Sequence, residues 1–580
     1  MCSFVRDVFV PSLALRGVVC AMCAGSIFSP LFNSNEKTQH PSSQKNTHFE
    51  TRERFEKESR RFASPLQKTT TTTTTRAFKK TFSFVRTRRD FFVEEGGEPR
   101  AYTRALLKRE REREAKFSKM TSAHNTNVVP SSSRPYDVIV FGATGFTGRL
   151  AATYLSRRYS GTAVKYALSG RDAEKTKRVA EETNHHLYRH QSQQRCDVGK
   201  DQKTPHLPDV FVATTPEQMR EVTAKAKVVL SFAGPFAKFG YDLTEACVAT
   251  KTHYLDITGE PHFVRECVEK LHEKAKASRT CVVNCVGYDS IPWDLGSWAV
   301  AQSFKTDGLV CERAEAHKGK SKLGVSGGTI ASAAGVIADN SMAELKKMGD
   351  PFYFVPELCR DGKRPLKKEI KEKWRLQSGP EFDQATQKFT KPSIMAGINS
   401  KVVARSYSLV RDEEKENACF AEDFSYGESD FCEDESKAIW GARGIKTFGY
   451  LFAIPPTRWL VRKTMLPAQG QGPSKDILEN GYSNVYVVGH GRDKNDPSRK
   501  VEPRVAHFEF KDADPGYKGT AALAVEAALC LSLSDKAPGL RMGGCLTPSV
   551  ALGEILIERL REAPNFSFSV SALKGKELKV

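Results

Sequence analysis

Short apolar runs alternate with helix-like segments in the part of the chain that follows residue 135. The first run, Tyr136–Phe141, is followed by a glycine-containing turn and then by apolar residues at helical spacing. Further apolar runs stand at 164–171, 210–213, 227–232, 252–256 and 281–286, with helical segments expected at 216–224, from 241, and around 263–271. Strands that alternate with helices predict an α/β fold with a doubly wound parallel sheet.

The pattern changes after about residue 300, where helical periodicity is sparser. Strands are predicted at 324–330, leading into a glycine-rich turn, and at 402–407, 420–426 and 501–510. This pattern favours a second α+β domain with a mixed or antiparallel sheet. Apolar helices are predicted at 519–533 and 548–560, returning to the first domain. The predicted boundaries are 1–133 for an extension, 134–300 for a nucleotide-binding domain, 301–515 for the second domain and 516–580 for the C-terminal helices.

The turn after the first strand has the glycine spacing of a nucleotide-binding strand–turn–helix. Gly142 would permit the tight turn, Gly145 would let the backbone approach a pyrophosphate, and Gly148 would let the helix pack closely on the strand. The helix that follows would offer unpaired N–H groups and a positive dipole end to phosphates. A glycine-rich turn that binds no ligand is the alternative.

The second strand predicts which cofactor would bind. In NAD-preferring units an acidic residue about 20 positions after the glycines bonds the ribose hydroxyl. Here the position carries Ser169, Gly170 and Arg171, and a guanidinium can pair with a 2′-phosphate. NADPH is therefore expected over NADH, although Asp172 could face the ribose if Arg171 turned away. The residues predicted to bind the cofactor are Gly142, Thr144, Gly145, Phe146, Thr147, Gly148, Ser169, Arg171, Ala233, Gly234 and Pro235.

The first 119 residues differ from the rest in composition. They hold 24 of the 89 Lys and Arg and 13 of the 69 Asp and Glu, a balance of +11 in a chain whose formal net charge is +20. A threonine run at 69–75 and charge clusters indicate that this stretch buries little and is disordered. Three interpretations remain open: a targeting extension, a basic arm for an acidic partner, or an untranslated segment upstream of a start at Met120.

The sequence offers little support for nucleic-acid binding, for a metal site or for a disulfide framework. No nucleic-acid motif is visible, and basic residues of the body are interspersed with acidic ones. The 14 cysteines form no paired CxxC set, so neither a zinc site nor a disulfide framework is predicted, and buried reduced thiols are expected. A small histidine cluster at His185, His186 and His190 is expected to lie in a solvated loop and not to bind a metal.

No segment is predicted to span a bilayer, and the best candidate for contact with one is 448–461. Two prolines, Pro455 and Pro456, interrupt it, and it is too short for a transmembrane helix. Basic residues accompany its apolar and aromatic ones. These are Lys446, Arg458, Arg462 and Lys463. The pattern allows a segment lying at a membrane surface or, equally, a buried helix or hairpin.

Taken together, the blocks of the chain after residue 135 resemble the saccharopine dehydrogenase-like oxidoreductases, and most of all their trans-acting enoyl reductase branch. The resemblance covers 136 to about 560. It rests on GATGFTG (142–148), LSGR (168–171), SFAGPFAKFGYDLTEAC (231–247), THYLDITGE (252–260), NCVGYDSIPWDLG (284–296), SGGT (326–329), LPAQGQGPS (466–474) and GGCLTPS (543–549).

The resemblance implies a Rossmann domain, an inserted domain with a mixed sheet, and a C-terminal return. It implies an NAD(P)H-dependent reductase that acts on unsaturated acyl chains, free or carrier-bound, in the synthesis of complex lipids and glycolipids. Animal relatives are associated with membranes and lipid droplets, so such a surface is an expected partner. A homodimer is left open, and so is the compartment: the cytoplasmic face of a membrane or droplet, or an organelle reached through the N-terminal extension.

Candidate catalytic groups stand after the predicted strands, where loops at strand carboxyl ends gather. Reduction of a conjugated double bond needs a proton donor and support for a transient enolate. The candidates considered are Tyr241, Asp256, Glu260, Tyr288, Asp289 and Ser290, and the three retained are Tyr288, Asp289 and Glu260. Each has a structural alternative, because Asp256, Glu260 or Asp289 could cap a helix and Tyr288 could pack in the core.

Alternative functions differ in what they require of the chain. A short-chain dehydrogenase needs a Tyr-x-x-x-Lys pair, and none of the 16 tyrosines has lysine four positions later. A saccharopine-type amino acid dehydrogenase remains an alternative. So does a catalytically weak protein of a membrane or lipid-droplet surface that binds NAD(P) without turnover.

Overall fold

The strands of the computed structural model form two seven-stranded sheets. The structure describes residues 133–193, 207–356, 368–374, 376–464, 472–496 and 498–580. The predictions for residues 1–132, including the start at Met120, lie outside the described residues. The strands are β1 (Tyr136–Phe141), β2 (Tyr166–Gly170), β3 (Asp209–Val212), β4 (Ala226–Ser231), β5 (His253–Asp256), β6 (Cys281–Val283), β7 (Leu309–Lys322), β8 (Glu381–Asp383), β9 (Lys388–Pro392), β10 (Phe420–Cys432), β11 (Tyr482–Asp493), β12 (Arg504–Phe510), β13 (Gly544–Leu546) and β14 (Phe566–Ala572).

Sixteen α-helices connect these strands within the described residues. They are α1 (Phe146–Tyr159), α2 (Ala173–Gln193), α3 (Pro216–Thr223), α4 (Phe236–Thr250), α5 (Pro261–Ala277), α6 (Ile291–Thr306), α7 (Gly327–Asp339), α8 (Met342–Met348), α9 (Lys368–Lys373), α10 (Ala396–Glu414), α11 (Glu435–Ala453), α12 (Pro455–Thr464), α13 (Lys475–Asn480), α14 (Thr520–Leu533), α15 (Pro538–Met542) and α16 (Pro548–Glu562).

The first sheet is parallel throughout, in the order β13-β6-β5-β4-β1-β2-β3. Helices on both faces bury its central strands, which explains why β1 and β4 are nearly continuous apolar runs. The order reverses at β1, whose neighbours are β2 and β4. Ligands bind at such a switch point, beyond the carboxyl ends of the strands. The predicted Rossmann-type doubly wound sheet is confirmed.

The second sheet is mixed, in the order β14-β12-β11-β7-β10-β9-β8. Its β7 and β10 are parallel, and every other neighbouring pair is antiparallel. Helix α6 joins the two sheets, because its Trp293, Val300 and Phe304 belong to one buried cluster with residues of β7, β11 and β12. The predicted second domain with a mixed sheet is therefore confirmed, while its exact boundaries stay predictions.

The C-terminal part returns to the first sheet, as predicted. Helix α14 is buried on every side except at Leu533, which is why its sequence is apolar all round. Its Glu526 carboxylate accepts hydrogen bonds from the hydroxyls of Tyr154 and Tyr159, both at 2.7 Å, and pairs with Arg559 at 2.8 Å. The return also contributes strands that were not predicted, β13 to the first sheet and β14 to the second.

Three local predictions were wrong. The predicted strand at 402–407 is part of α10, whose residues 398–410 are all buried. A short apolar run that is buried on all sides has no periodicity to distinguish a helix from a strand. The predicted strand at 324–330 is a loop followed by α7, which Ser326 caps by accepting from the Thr329 N–H. The histidines at 185, 186 and 190 lie within α2, not in a loop.

Helices are also more numerous after residue 300 than predicted. Seven of them, α7 to α13, lie between residues 327 and 480 of the described chain. The predicted strands at 420–426 and 501–510 are confirmed as parts of β10 and β12, and the two C-terminal helices are confirmed as α14 and α16. In the first domain, β6 ends at Val283, earlier than the predicted 286.

Candidate active site

The glycine loop between β1 and α1 has the geometry that its spacing predicts. Gly142 has φ +79°, and a Cβ there would lie 2.9 Å from the backbone nitrogen of Ala233. A Cβ on Gly148 would overlap the carbonyl oxygen of Gly142, so only glycine lets α1 start this close to β1. Gly145 donates its N–H to the Gly142 carbonyl at 3.0 Å and is the N-cap of α1.

The N-terminus of α1 is free to receive an anion. No side chain caps it, and no acidic residue stands in its first turn. The first N–H groups of a helix have no intrahelical acceptor and carry the positive end of the helix dipole. Phe146, Thr147 and Gly148 therefore present their N–H groups as a pyrophosphate cradle would.

The end of β2 carries the groups that were predicted to select NADPH. The Ser169 hydroxyl is buried and has no hydrogen-bond partner among the described residues. Arg171 is exposed, with its guanidinium 5.4 Å from the centroid of the Phe239 ring. Asp172 does not compete for a ribose, because its carboxylate accepts from the Lys175 N–H at 3.0 Å at the start of α2. The end of β2 therefore carries the Arg171 cation and the Ser169 hydroxyl, which has no hydrogen-bond partner among the described residues. These two groups fit a 2′-phosphate.

The turn after β4 is fixed by Glu260. One carboxylate oxygen accepts from the Phe236 N–H and the other from the Ala237 N–H, each at 2.9 Å. The first oxygen also accepts from the Ser332 hydroxyl at 2.9 Å. Glu260 thus caps α4, the helix after Gly234-Pro235, although it precedes α5. All of its contacts are structural ones, so its predicted catalytic role gains no support from the geometry.

Asp256, Tyr241 and Ser290 also occupy structural positions. Asp256 is fully buried at the end of β5, where it accepts from the Tyr254 hydroxyl at 2.9 Å and the Asn284 amide at 2.8 Å, and burial raises its pKa to about 6. Tyr241 lies within α4 beneath the Lys270 ammonium, not in the turn before the helix. Ser290 is the N-cap of α6, in place of the predicted Asp289.

Tyr288 belongs to the core. Its side chain is 3% exposed, and its ring packs edge-on against Trp293 and Phe510, with centroids 5.3 and 5.1 Å away. Its hydroxyl is 2.7 Å from the Ser483 hydroxyl on β11. The aromatic-packing alternative therefore describes this residue, which connects the loop after β6 to the second sheet.

Asp289 differs from its neighbours because its carboxylate is open. Tyr288 and Ser290 are buried, whereas Asp289 is exposed and has no hydrogen-bond partner among the described residues. Surrounding protein nevertheless raises the pKa of Asp289 to about 6, an effect that Lys318 of β7 partly opposes. An accessible carboxylate whose charged form is disfavoured by the surrounding protein can hold a proton closer to neutral pH than an ordinary aspartate.

Asp514 and Tyr517 lie close enough to Asp289 for its charge to act on them, and neither residue was predicted from the sequence. Burial raises the pKa of both groups, and the charge of Asp289 raises them further. Asp514 accepts from the Gly324 N–H at 2.9 Å and the Tyr517 N–H at 2.8 Å. The Tyr517 hydroxyl accepts from the Ser326 N–H and is 2.8 Å from the Thr329 hydroxyl.

Phe146 connects Tyr517 to the glycine loop. The rings of Phe146 and Tyr517 meet edge-on with centroids 5.5 Å apart. Gly472 also lies against the Phe146 ring, so closely that a Cβ at 472 would overlap it. Neither periodicity nor spacing could predict that Tyr517 and Gly472 lie near the glycine loop. A polar cavity of about 400 Å³ lies elsewhere, on the second sheet around Arg313, Glu315 and His317.

No cluster of three or more His, Cys, Asp or Glu suited to a metal ion occurs among the described residues. The nine cysteines of the described ranges are all buried, and none of them forms a disulfide with another. Burial raises the pKa of several of these thiols, Cys247 and Cys281 among them. Cys20 and Cys23 lie outside the described ranges. The polar groups found around Asp289 are therefore carboxylates, hydroxyls and a lysine.

The chain is similar to known proteins in its first domain and also over most of its length. The family model described as the saccharopine dehydrogenase NADP binding domain matches residues 138–283, which run from β1 to β6. A Mycobacterium tuberculosis protein named provisionally as a trans-acting enoyl reductase is 30% identical over 442 residues, covering 75% of this chain and 97% of its own. The trans-acting enoyl reductase of Mycobacterium leprae is 28% identical over 453 residues, covering 74% and 96%.

Among solved structures, an apo saccharopine dehydrogenase (L-Glu forming) from Saccharomyces cerevisiae aligns over 75% of this chain and 99% of its own. The identity is 11% and the TM-score is 0.40.

The parallel sheet, the glycine loop and the matched NADP-binding domain define an NAD(P)H-dependent oxidoreductase, with NADPH as its cofactor. The chain belongs to the saccharopine dehydrogenase-like oxidoreductases, in the branch that contains the trans-acting enoyl reductases. The predicted resemblance and the prediction of NADPH are confirmed.

Proposed function

We propose that the protein reduces the conjugated double bond of an unsaturated acyl chain, in the synthesis of a complex lipid or glycolipid. The relatives' names support the reaction class, since they are trans-acting enoyl reductases. The observation that carries the proposal is the exposed carboxylate of Asp289, which lies near Tyr517, whose ring packs on Phe146 at the start of α1.

The cofactor would be held by the residues predicted from the sequence. Gly142 and Gly145 leave room for the pyrophosphate, the uncapped start of α1 supplies N–H donors, and Ser169 and Arg171 suit the 2′-phosphate. The remaining residues of this proposed set are Thr144, Phe146, Thr147, Gly148, Ala233, Gly234 and Pro235. When bound, NADPH supplies the hydride for the β-carbon of the acyl group.

Asp289 is the proposed proton donor for the α-carbon. A carboxylic acid held at a raised pKa can donate a proton near neutral pH, and an open position lets it approach a substrate. Lys318 places a positive charge near the same space, where an enolate would develop negative charge. Tyr288 and Glu260, the other retained candidates, are proposed to position the loops around the site, Tyr288 through Ser483 and Glu260 through the start of α4.

Phe146 packs against Tyr517 and Gly472 beside the glycine loop. A substrate bound next to Asp289 would displace water from its exposed carboxylate, which would protect a transient enolate and strengthen the electrostatic effect of nearby charges.

The proposal is tested by following NADPH consumption with trans-2-enoyl thioesters of increasing chain length, as coenzyme A and carrier-protein conjugates. We expect reduction of at least one enoyl substrate and, by mass spectrometry, a product two hydrogens heavier. Asp289→Asn should retain NADPH binding and lose turnover, whereas Asp535→Asn, at an exposed aspartate after α14, should keep both.

Two results would contradict the proposal in different ways. NADPH binding without turnover of any enoyl or carbonyl substrate would favour a cofactor-binding protein that has lost catalysis. Turnover with saccharopine, or with a lysine-derived semialdehyde and glutamate, would favour an amino acid dehydrogenase. Mass spectrometry of cellular lipids after removal of the protein tests the lipid context separately.

A further inference from the structure

Helices α11 and α12 form a hairpin whose outer side is apolar and uncovered. We call residues 435–464 the exposed hairpin. In α11 only Ala438, Ala442 and Phe452 are buried. The exposed large apolar side chains of the hairpin are Trp440 (57%), Phe448 (38%), Tyr450 (73%), Leu451 (41%), Ile454 (51%), Trp459 (61%) and Leu460 (52%). These are half of the 14 exposed large apolar side chains found among the described residues.

The hairpin is held on one side only. Phe452 and Val461 pack with Ala334 of α7 in a small cluster of their own, with Ile337 beside it. The prolines Pro455 and Pro456 end α11 and begin α12, so the chain reverses at Ile454. This anchoring fixes the two helices to the protein and leaves the region around 448–456 open. The sequence pattern allowed either a segment at a membrane surface or a buried helix or hairpin. In the structure the segment is a hairpin, and it is exposed.

The charge of the exposed hairpin has a single sign over most of its length. From residue 436 to 464 the sequence contains no Asp or Glu, and its basic residues are Lys437, Arg443, Lys446, Arg458, Arg462 and Lys463. Two of them lie over exposed indole rings: Arg443 is 5.1 Å from the Trp440 centroid and Lys463 is 4.9 Å from the Trp459 centroid. Cations beside indole rings, next to aliphatic side chains, are typical of groups that sit at a membrane–water interface.

We propose that the exposed hairpin docks the protein on an anionic lipid bilayer, with the apolar side chains around Tyr450 and Ile454 entering the boundary of the acyl chains. The exposed Arg443, Lys446 and Lys463 would then face anionic headgroups, each attracted by the negative surface potential. Among the described residues no helix is long and apolar enough to cross a membrane, so the hairpin lies on the surface.

The positive charge of the exposed hairpin, together with its apolar side chains, favours a lipid surface over two other partners, a second copy of the chain and an acidic carrier protein. A second copy of the chain would bring two basic hairpins together, which is unfavourable without intervening anions. An acidic carrier protein would satisfy the charges, but seven exposed apolar side chains along one hairpin suit a hydrocarbon boundary better than a polar protein surface. This proposal does not depend on the reaction proposed above.

Sedimentation of the full-length protein with vesicles tests the proposal. One vesicle type contains phosphatidylcholine alone, and the other contains phosphatidylcholine with phosphatidylserine. We expect the protein to pellet with the anionic vesicles and less with the neutral ones, and added salt should weaken the binding. Tyr450→Ser combined with Trp459→Ser should weaken binding by about tenfold or more, because two large apolar side chains no longer leave water.

A matched control separates this effect from general loss of surface hydrophobicity. Met342 and Ile394 are 80% and 70% exposed and lie outside the exposed hairpin, so Met342→Ser with Ile394→Ser should leave vesicle binding unchanged. Thermal unfolding should be the same for both double variants, because all four side chains are exposed. Quenching of tryptophan fluorescence by brominated lipid should occur in the wild type and decrease in Trp459→Phe.

The proposal is overturned if the protein binds neither vesicle type, or if the Tyr450/Trp459 variant binds as well as the wild type. Dimerisation that depends on Tyr450 and Trp459, measured by light scattering, would assign the surface to a second copy of the chain. Binding of an acidic carrier protein that these substitutions abolish, with no binding to vesicles, would assign it to that partner.

Discussion

Replacement of Asp289 by asparagine makes the sharpest test of the proposed chemistry. Desolvation by the surrounding protein raises the pKa of the accessible Asp289 carboxyl from 3.8 to about 6, with Lys318 acting in the opposite direction. An acid with that pKa is protonated in roughly one molecule in eleven at pH 7 and in roughly ten of eleven at pH 5. If Asp289 donates the proton, the rate of the proton-transfer step should increase about tenfold as the pH falls from 7 to 5.

The assay is a single turnover of enzyme-bound NADPH with an enoyl thioester, followed by NADPH absorbance from pH 5 to pH 8. Asp289→Asn should lower the rate by about 100-fold or more and flatten this pH dependence. Lys318→Gln removes the group that lowers the pKa of Asp289, so the same profile should move to higher pH. A profile that persists unchanged in Asp289→Asn would refute the assignment of the proton donor.

Three further predictions address the cofactor site and the core. Gly148→Ala places a Cβ on the backbone of the glycine loop and should weaken NADPH binding at least about tenfold, whereas Gly259→Ala meets no atom within 4 Å and should be neutral in calorimetry. Arg171→Ala should weaken binding of NADPH by roughly tenfold or more and leave that of NADH unchanged, since only NADPH carries the 2′-phosphate. Glu526→Ala leaves Arg559 without its buried partner and should lower the free energy of unfolding by about 3–5 kcal/mol in urea titrations, with exposed Glu558→Ala as control.

The sequence was sufficient for the parts of the fold that depend on local pattern. The apolar strand, the glycine spacing and the helix that follows predicted β1, the loop and α1, because strand, turn and helix each have a sequence signature. Arg171 at the end of β2 was predicted from its distance to the glycines. These features are encoded within about thirty consecutive residues of a βαβ unit.

The predictions that failed concern residues whose structure depends on contacts between distant segments of the chain. Residues 402–407 form a helix because α10 is enclosed by other elements, and enclosure is not visible in a window of six residues. Glu260 precedes α5 and yet caps α4, because the loop after β5 lies beside the loop after β4. Tyr517 lies near Asp289 although it stands more than 200 residues later in the chain, in a turn without a recognisable motif.

The strand β13 determines when the nucleotide-binding sheet can be completed. Gly544 pairs with Cys281, 263 positions earlier, so β6 keeps an unpaired edge until almost the whole chain has left the ribosome. Helix α14, which covers α1 and the central strands, is also synthesised late. The coenzyme domain therefore cannot mature ahead of the rest of the polypeptide, and a fragment ending near residue 300 would expose both a bare sheet edge and an uncovered apolar face.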